Sequence, residues 1–115
     1  RLAMPIIAKH NVPYLIHAEL DCAEHSGNKP NAISIGESYQ SFLASRPKQW
    51  ENDAVTLMID LATEAQQKGV AIKVHIVHLS SAEALDSIQA AKTAGLLFSA
   101  ETCPHYLTIA AEKYS

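Results

Sequence analysis

The stretch formed by residues 70–83 constrains the fold more than any other. Six of the eight residues from 70 to 77 are apolar and the run is rich in β-branched types, the pattern of a parallel strand covered on both faces. Ser80-Ser81-Ala82-Glu83 follows at once. It predicts a helix capped by Ser80, with Glu83 reaching back in a capping box. Ala84, Leu85, Ile88 and Ala91 recur at helical spacing, and Gly95 suits the left-handed residue that closes a helix. His78 therefore falls at the carboxyl end of a strand, just before a βα loop, which is where α/β proteins place their chemistry.

The flanking sequence repeats this logic. Residues 2–10 read as the last turns of a helix, with Pro5 near its start and Asn11 as its stop. Val12-Pro13-Tyr14-Leu15-Ile16 reads as a short strand that ends at His17. Residues 21–32 are polar and punctuated by Gly27, Asn28 and Pro30, as a long surface loop is. Ser34 and Glu37 form a second capping-box pattern ahead of Tyr39, Phe42 and Leu43. Pro47 suits the first turn of a further helix. Trp50, Ala54, Leu57, Leu61 and Ala65 mark one face of that helix, and Gly69 ends it. Leu96-Leu97-Phe98-Ser99-Ala100 is the third strand. Strands separated by helical crossovers mean α/β with parallel strands. Two architectures satisfy this order, an open doubly wound sheet and a section of a (β/α)8 barrel. A barrel takes ~250 residues, so 115 would make about half of one.

Composition narrows the function classes. With 48% hydrophobic and 18% charged residues the chain is globular, and one core suffices for its length. No apolar run is long enough to span a bilayer and no signal peptide is visible, so membrane is not an expected partner and a cytoplasmic location is expected. A net charge of −3 without a basic cluster argues against nucleic acid. Cys22 and Cys103 make no metal-type or redox-type pair, and buried free thiols are the plain reading. Residue 1 lies inside a helical pattern and residue 115 inside a helical start, so the chain reads as a single incomplete segment of a longer protein.

His17 and His78 each close a strand, so both belong at one rim of a parallel sheet. Side chains alternate along a strand, which puts His78 with Val74 and Ile76 and turns His75 to the other face. A lone histidine at a strand end is most simply a hydrated polar residue. Two at equivalent positions make a metal-ligand role competitive, because neutral imidazole is the commonest metal ligand. Two ligands do not complete a zinc site. His17-Ala18-Glu19 also spells the His-x-Glu of zinc nucleobase deaminases, but the Pro-Cys-x-x-Cys which that chemistry needs is missing. No His-Glu-x-x-His is present either. Glu101 and His105 follow the third strand; Glu101 could stand behind a site and His105 could contact a substrate, but structural roles are the favoured reading of both. Arg46 suits a salt bridge better than an anion site.

Four blocks in order carry a family resemblance. They are Leu15-Ile16-His17-Ala18-Glu19, then Ser38-Tyr39-Gln40-Ser41-Phe42-Leu43-Ala44-Ser45-Arg46-Pro47 with Trp50-Glu51, then Val74-His75-Ile76-Val77-His78-Leu79-Ser80-Ser81-Ala82, and finally Glu101-Thr102-Cys103-Pro104-His105-Tyr106-Leu107. Together they resemble the allantoinases, within the cyclic amidohydrolases that also include dihydroorotases, dihydropyrimidinases and hydantoinases. The resemblance implies a partial (β/α)8 barrel contributing strands five to seven. It further implies two zinc ions bridged by hydroxide and by a carboxylated lysine that lies outside this chain. His17 and His78 match the ligands that end strands five and six. Glu19, Glu101 and His105 are candidates for the layer behind them, and the general base is expected outside the chain. The implied substrate is a small cyclic ureide or amide, and a homo-oligomer, a tetramer in the family, is implied as well. On this reading the isolated segment has no hydrolase activity, and its unpaired strand edges favour aggregation. A hydantoinase, dihydropyrimidinase or dihydroorotase is the alternative among enzymes. A non-catalytic assembly protein of the same barrel is the alternative outside them, although such relatives have lost the metal ligands.

Overall fold

The computed structural model describes residues 2–20, 38–110 and 113. In chain order the elements are α1 (Met4–Lys9), β1 (Pro13–Ile16), α2 (Tyr39–Ala44), α3 (Gln49–Gln67), β2 (Lys73–Ile76), a 3-10 turn (Ala82–Ala84), α4 (Leu85–Thr93), β3 (Phe98–Ala100) and α5 (Pro104–Thr108). The strands form one parallel sheet in the order β1-β2-β3. Ile16 pairs with Ile76, and Ile76 with Ala100, so all three strands reach their carboxyl ends at one level.

Each strand is entered through the same device. Asn11 (φ +55°), Gly69 (φ +73°) and Gly95 (φ +86°) all take the left-handed conformation just after a helix. Gly69 N–H donates to the Gln66 carbonyl at 2.9 Å and Val70 N–H to Ala65 at 2.9 Å. Gly95 and Leu96 repeat the pair of bonds on Lys92 and Ala91 at 3.0 and 3.1 Å. Both are Schellman closures, which satisfy carbonyls the helix end would otherwise leave unpaired.

The core lies between the sheet and the helices. Val74, Ile76 and Phe98 point from one face of the strands onto Val55, Met58, Ala62, Ile88 and Ala91, all buried. The opposite face carries Leu15, His75 and Ser99 in register, and Leu15 is 58% exposed. The expectation of a strand covered on both faces therefore fails for the described residues: β2 alternates, with Lys73 exposed and His75 half-buried.

The buried stripe of α3 is also displaced from the expected one. It runs through Ala54, Val55, Met58 and Ala62, while Leu57 is exposed and Trp50, Leu61 and Ala65 are half-buried. Ala54, Val55, Met58 and Ala62 belong to the buried cluster that includes Val74, Ile76 and Phe98, and Leu61 and Ala65 pack at its margin. Helix α2 is capped by the Ser38 hydroxyl, which accepts from Ser41 N–H at 3.2 Å. The pattern at Ser34 and Glu37, the loop at 21–32 and Cys22 lie outside the described residues.

Candidate metal centre

The residues just past the strand ends converge. His17 follows β1, and its ring Nδ1 lies 2.9 Å from Nε2 of His78, with ring centroids 4.7 Å apart and planes at 63°. The other nitrogen of His17, Nε2, lies 3.0 Å from Oε2 of Glu19. A carboxylate only accepts, so we assign the His17 proton to Nε2 and leave Nδ1 as a bare lone pair facing His78. Arg46 donates to the second oxygen of Glu19 at 2.7 Å, and its guanidinium lies 5.5 Å from the centre of the Phe42 ring. The result is a relay of contacts from Arg46 through Glu19 and His17 to His78. The hydrogen bond from His17 holds the Glu19 carboxyl below its ordinary value; partial burial opposes this and the charge of Arg46 assists it.

Strand alternation does not carry through to His78, because β2 ends at Ile76 and His78 takes φ +43°. A non-glycine residue in this region is uncommon and is held there by its surroundings. Those surroundings are clamps on either side of it. Val77 N–H donates to the Ile16 carbonyl at 3.1 Å, and Leu79 N–H donates to the Glu101 carbonyl at 2.7 Å. The Thr102 hydroxyl donates to the Leu79 carbonyl at 2.7 Å. Glu51, from the first turn of α3, then receives Ser80 N–H at 3.0 and 3.2 Å, the Ser80 hydroxyl at 2.8 Å and Ser81 N–H at 2.6 Å.

These bonds replace the expected capping box. Ser80 gives its hydroxyl to Glu51 instead of capping, the cap position falls on Ser81 with no side-chain cap bond, and Glu83 accepts from Asn52 at 2.9 Å. A carboxylate arriving from another helix satisfies the donors that the local motif would have served. Glu51 is the residue that sequence reasoning overlooked. Its only sequence signal is its place next to Trp50 in the second family block.

The other candidates stand apart from the imidazole pair. His75 Nδ1 meets the Ser99 hydroxyl at 2.9 Å, and its Nε2 lies 3.5 Å from Glu101 Oε2. His105 packs edge-on against Tyr106, with centroids 4.4 Å apart. Cys103 is a half-buried free thiol. His17, Glu19, Arg46, Trp50, His78 and Tyr106 line an open cavity of about 270 Å³. Among the described residues no group of three or more His, Cys, Asp or Glu is arranged to hold a metal.

The donor set nevertheless suits a zinc ion. Two nitrogens bound tetrahedrally at 2.0–2.1 Å stand about 3.3 Å apart, against the 2.9 Å between His17 Nδ1 and His78 Nε2. A few tenths of an ångström, and transfer of one ring proton of His78 to Nδ1, would open the pair to an ion. Glu19 behind His17 is the carboxylate that metal-bound histidines regularly use to fix ring and tautomer.

No protein-family model matches the chain. It is 38% identical over 111 residues to the allantoinase of Saccharomyces cerevisiae, covering 96% of this chain and 23% of that protein. It is 43% identical over 112 residues to the mitochondrial allantoinase of Aquarana catesbeiana, covering 96% and 21%. Among solved structures, a D-hydantoinase superposes with a TM-score of 0.75 at 28% identity over 96% of this chain and 23% of that one. The chain thus spans less than a quarter of the length of these relatives.

Proposed function

The chain is homologous to a section of the allantoinases, within the cyclic amidohydrolases, and from that premise we propose that it is part of a zinc-dependent hydrolase that opens the ring of allantoin to give allantoate. The observation that carries the reading is the pair of imidazole nitrogens 2.9 Å apart at two adjacent strand exits, with a carboxylate behind one of them. In this reading all 115 residues form one incomplete segment of a (β/α)8 barrel, its three strands being the fifth, sixth and seventh.

A ring amide resists hydrolysis, and zinc supplies a nucleophile at neutral pH together with Lewis-acid polarisation of the carbonyl. This chain contributes the scaffold for that chemistry. His17 presents Nδ1, and Glu19 retains the proton on its Nε2 and so fixes the tautomer. Arg46 holds Glu19 in place. His78 presents Nε2 from a backbone set by its neighbours. Trp50 and Tyr106 wall the cavity in which a small cyclic ureide would sit. Glu101 and His105 support the site from further out. The remaining ligands, the carboxylated lysine and the general base belong to the rest of the protein, so the isolated segment has no hydrolase activity. The protein works in the cytoplasm as a homo-oligomer.

The structural likeness to a D-hydantoinase supports a second reading, hydrolysis of a related five- or six-membered ring. Assay of the full-length protein on allantoin, hydantoin, dihydrouracil and dihydroorotate separates the two. Turnover of allantoin with about two zinc per chain is expected. Turnover of another ring but not allantoin would end the first reading, and a protein that binds no metal and turns over none of the four would end both.

A further inference from the structure

The two histidine-bearing segments are held by one helix start. Leu20 N–H, three residues past His17, donates to the Trp50 carbonyl at 3.1 Å. Ser80 and Ser81, directly after His78, deliver four contacts to the Glu51 carboxylate at 2.6–3.2 Å. Trp50 and Glu51 are consecutive residues in the first turn of α3. The separation of the imidazoles is therefore referenced to a single rigid turn and not to two independent loops. Without Glu51, the carboxyl-side clamp on His78 would rest on Leu79 and Thr102 alone, and its left-handed backbone (φ +43°) would be free to relax toward the commoner right-handed region.

From this geometry we infer that Glu51 is a positioning residue: by accepting from Ser80 and Ser81 it fixes the backbone of His78 and keeps Nε2 of that ring facing Nδ1 of His17. The inference builds on the metal-hydrolase reading but is stated about two rings that meet in the metal-free chain. Glutamine in its place keeps one acceptor and turns an N–H₂ donor toward N–H donors. Aspartate keeps both acceptors on a stem one methylene shorter. A site held to within about 0.5 Å is sensitive to both changes, and to the first more than the second.

The test uses the full-length protein in four forms: wild type, Glu51→Gln, Glu51→Asp and Glu83→Gln. The last makes the same carboxylate-to-amide change at the acceptor for Asn52, the contact that also joins α3 to the turn before α4, and so controls for loss of charge at this helix start in general. With selective ¹⁵N-histidine labelling, the metal-free wild type is expected to show coupling between the two facing ring nitrogens, 2.9 Å apart. Chelator competition then gives zinc affinity. E51Q is expected to lose the ring-to-ring coupling and to bind zinc about 10-fold more weakly, the lower end for residues that support metal ligands. E51D is expected to recover part of both, and E83Q to match wild type. Unchanged coupling in E51Q, or equal losses in E51Q and E83Q, would overturn the inference. If E51Q does not fold, E51D decides by the same two measurements. A wild type that couples its rings but binds no zinc would sink the metal reading, and loss of coupling in E51Q would still uphold the role of Glu51.

Discussion

The two ends of the sheet are built on opposite principles. Where the strands begin, three helix-to-strand turns close with Asn11, Gly69 and Gly95, residue types that tolerate a left-handed backbone at little cost. The cavity there, about 360 Å³, is lined by apolar residues with Gln66 and contains no titratable side chain. Where the strands end, the left-handed position is held by a histidine, and the helix start beyond it is satisfied by a carboxylate from another helix. One end spends its local sequence on stability, while the other accepts a strained backbone so that two imidazoles meet. Parallel α/β folds divide labour between their poles in this way, and here the division can be traced to individual φ angles.

The contrast breaks if changes at the histidine end act only through stability. In the full-length protein, His17→Ala and His78→Ala should each lower turnover of the ring substrate more than about 100-fold, the upper end for residues one layer further out. Thermal unfolding should show both variants folded, and zinc content should fall. A variant that lost activity but kept its full zinc would remove that histidine from the ligand set.

The opposite substitution sharpens the contrast from the other end. Gly69→Ala puts a Cβ into open space, and Gly95→Ala puts one 3.8 Å from Gln66, an ordinary contact. Only the backbone is strained, by about 1–2 kcal/mol. Each variant should unfold at a lower temperature while binding zinc like the wild type. A smaller effect of reversed sign is expected at the histidine end. Both His78→Gly and His78→Ala delete the ring, so neither should bind zinc normally, but the glycine variant should be the more stable by about 1 kcal/mol. Equal unfolding midpoints for the two would mean that φ +43° at His78 stores no strain.

Much of this architecture was legible in the sequence, because it rests on local signals. The apolar β-branched run before His78 and the glycines after two helices each act within a few residues. His17 and His78 were legible as strand-end residues for the same reason. Interactions between distant segments were not. Ser80 and Glu83 have the spacing of a capping box, yet Glu51, 29 residues before Ser80, outcompetes it. The facing of His78 cannot be read from alternation, because alternation assumes an extended backbone, and β2 ends at Ile76, one residue before the apolar run does, with His78 at φ +43°. The stripe on α3 lies elsewhere than periodicity suggests because apolar residues occupy more than one side of this helix, and hydrophobicity alone does not tell which of them the sheet covers.

The smallest expected effect concerns Glu19. The His17 hydrogen bond, helped by Arg46, holds its carboxyl below the ordinary value against the opposing influence of burial. The folded state therefore binds this proton less readily than the unfolded chain does. The stabilisation is fully present above the unfolded value, about 4.3 for a glutamate, and is lost as the pH falls through the lower folded value. Both partners are partly exposed, so solvent screens the Arg46 pair and the contribution is small. In the metal-free protein, ¹³C titration of the Glu19 carboxyl should show a midpoint below that of a free glutamate, and Arg46→Met should raise it only part of the way. The residual depression belongs to His17, whose direct hydrogen bond at 3.0 Å is the largest influence, so His17→Ala should raise the midpoint further than Arg46→Met does. The reverse ranking would make Arg46, and not the histidine, the partner that organises this end of the sheet.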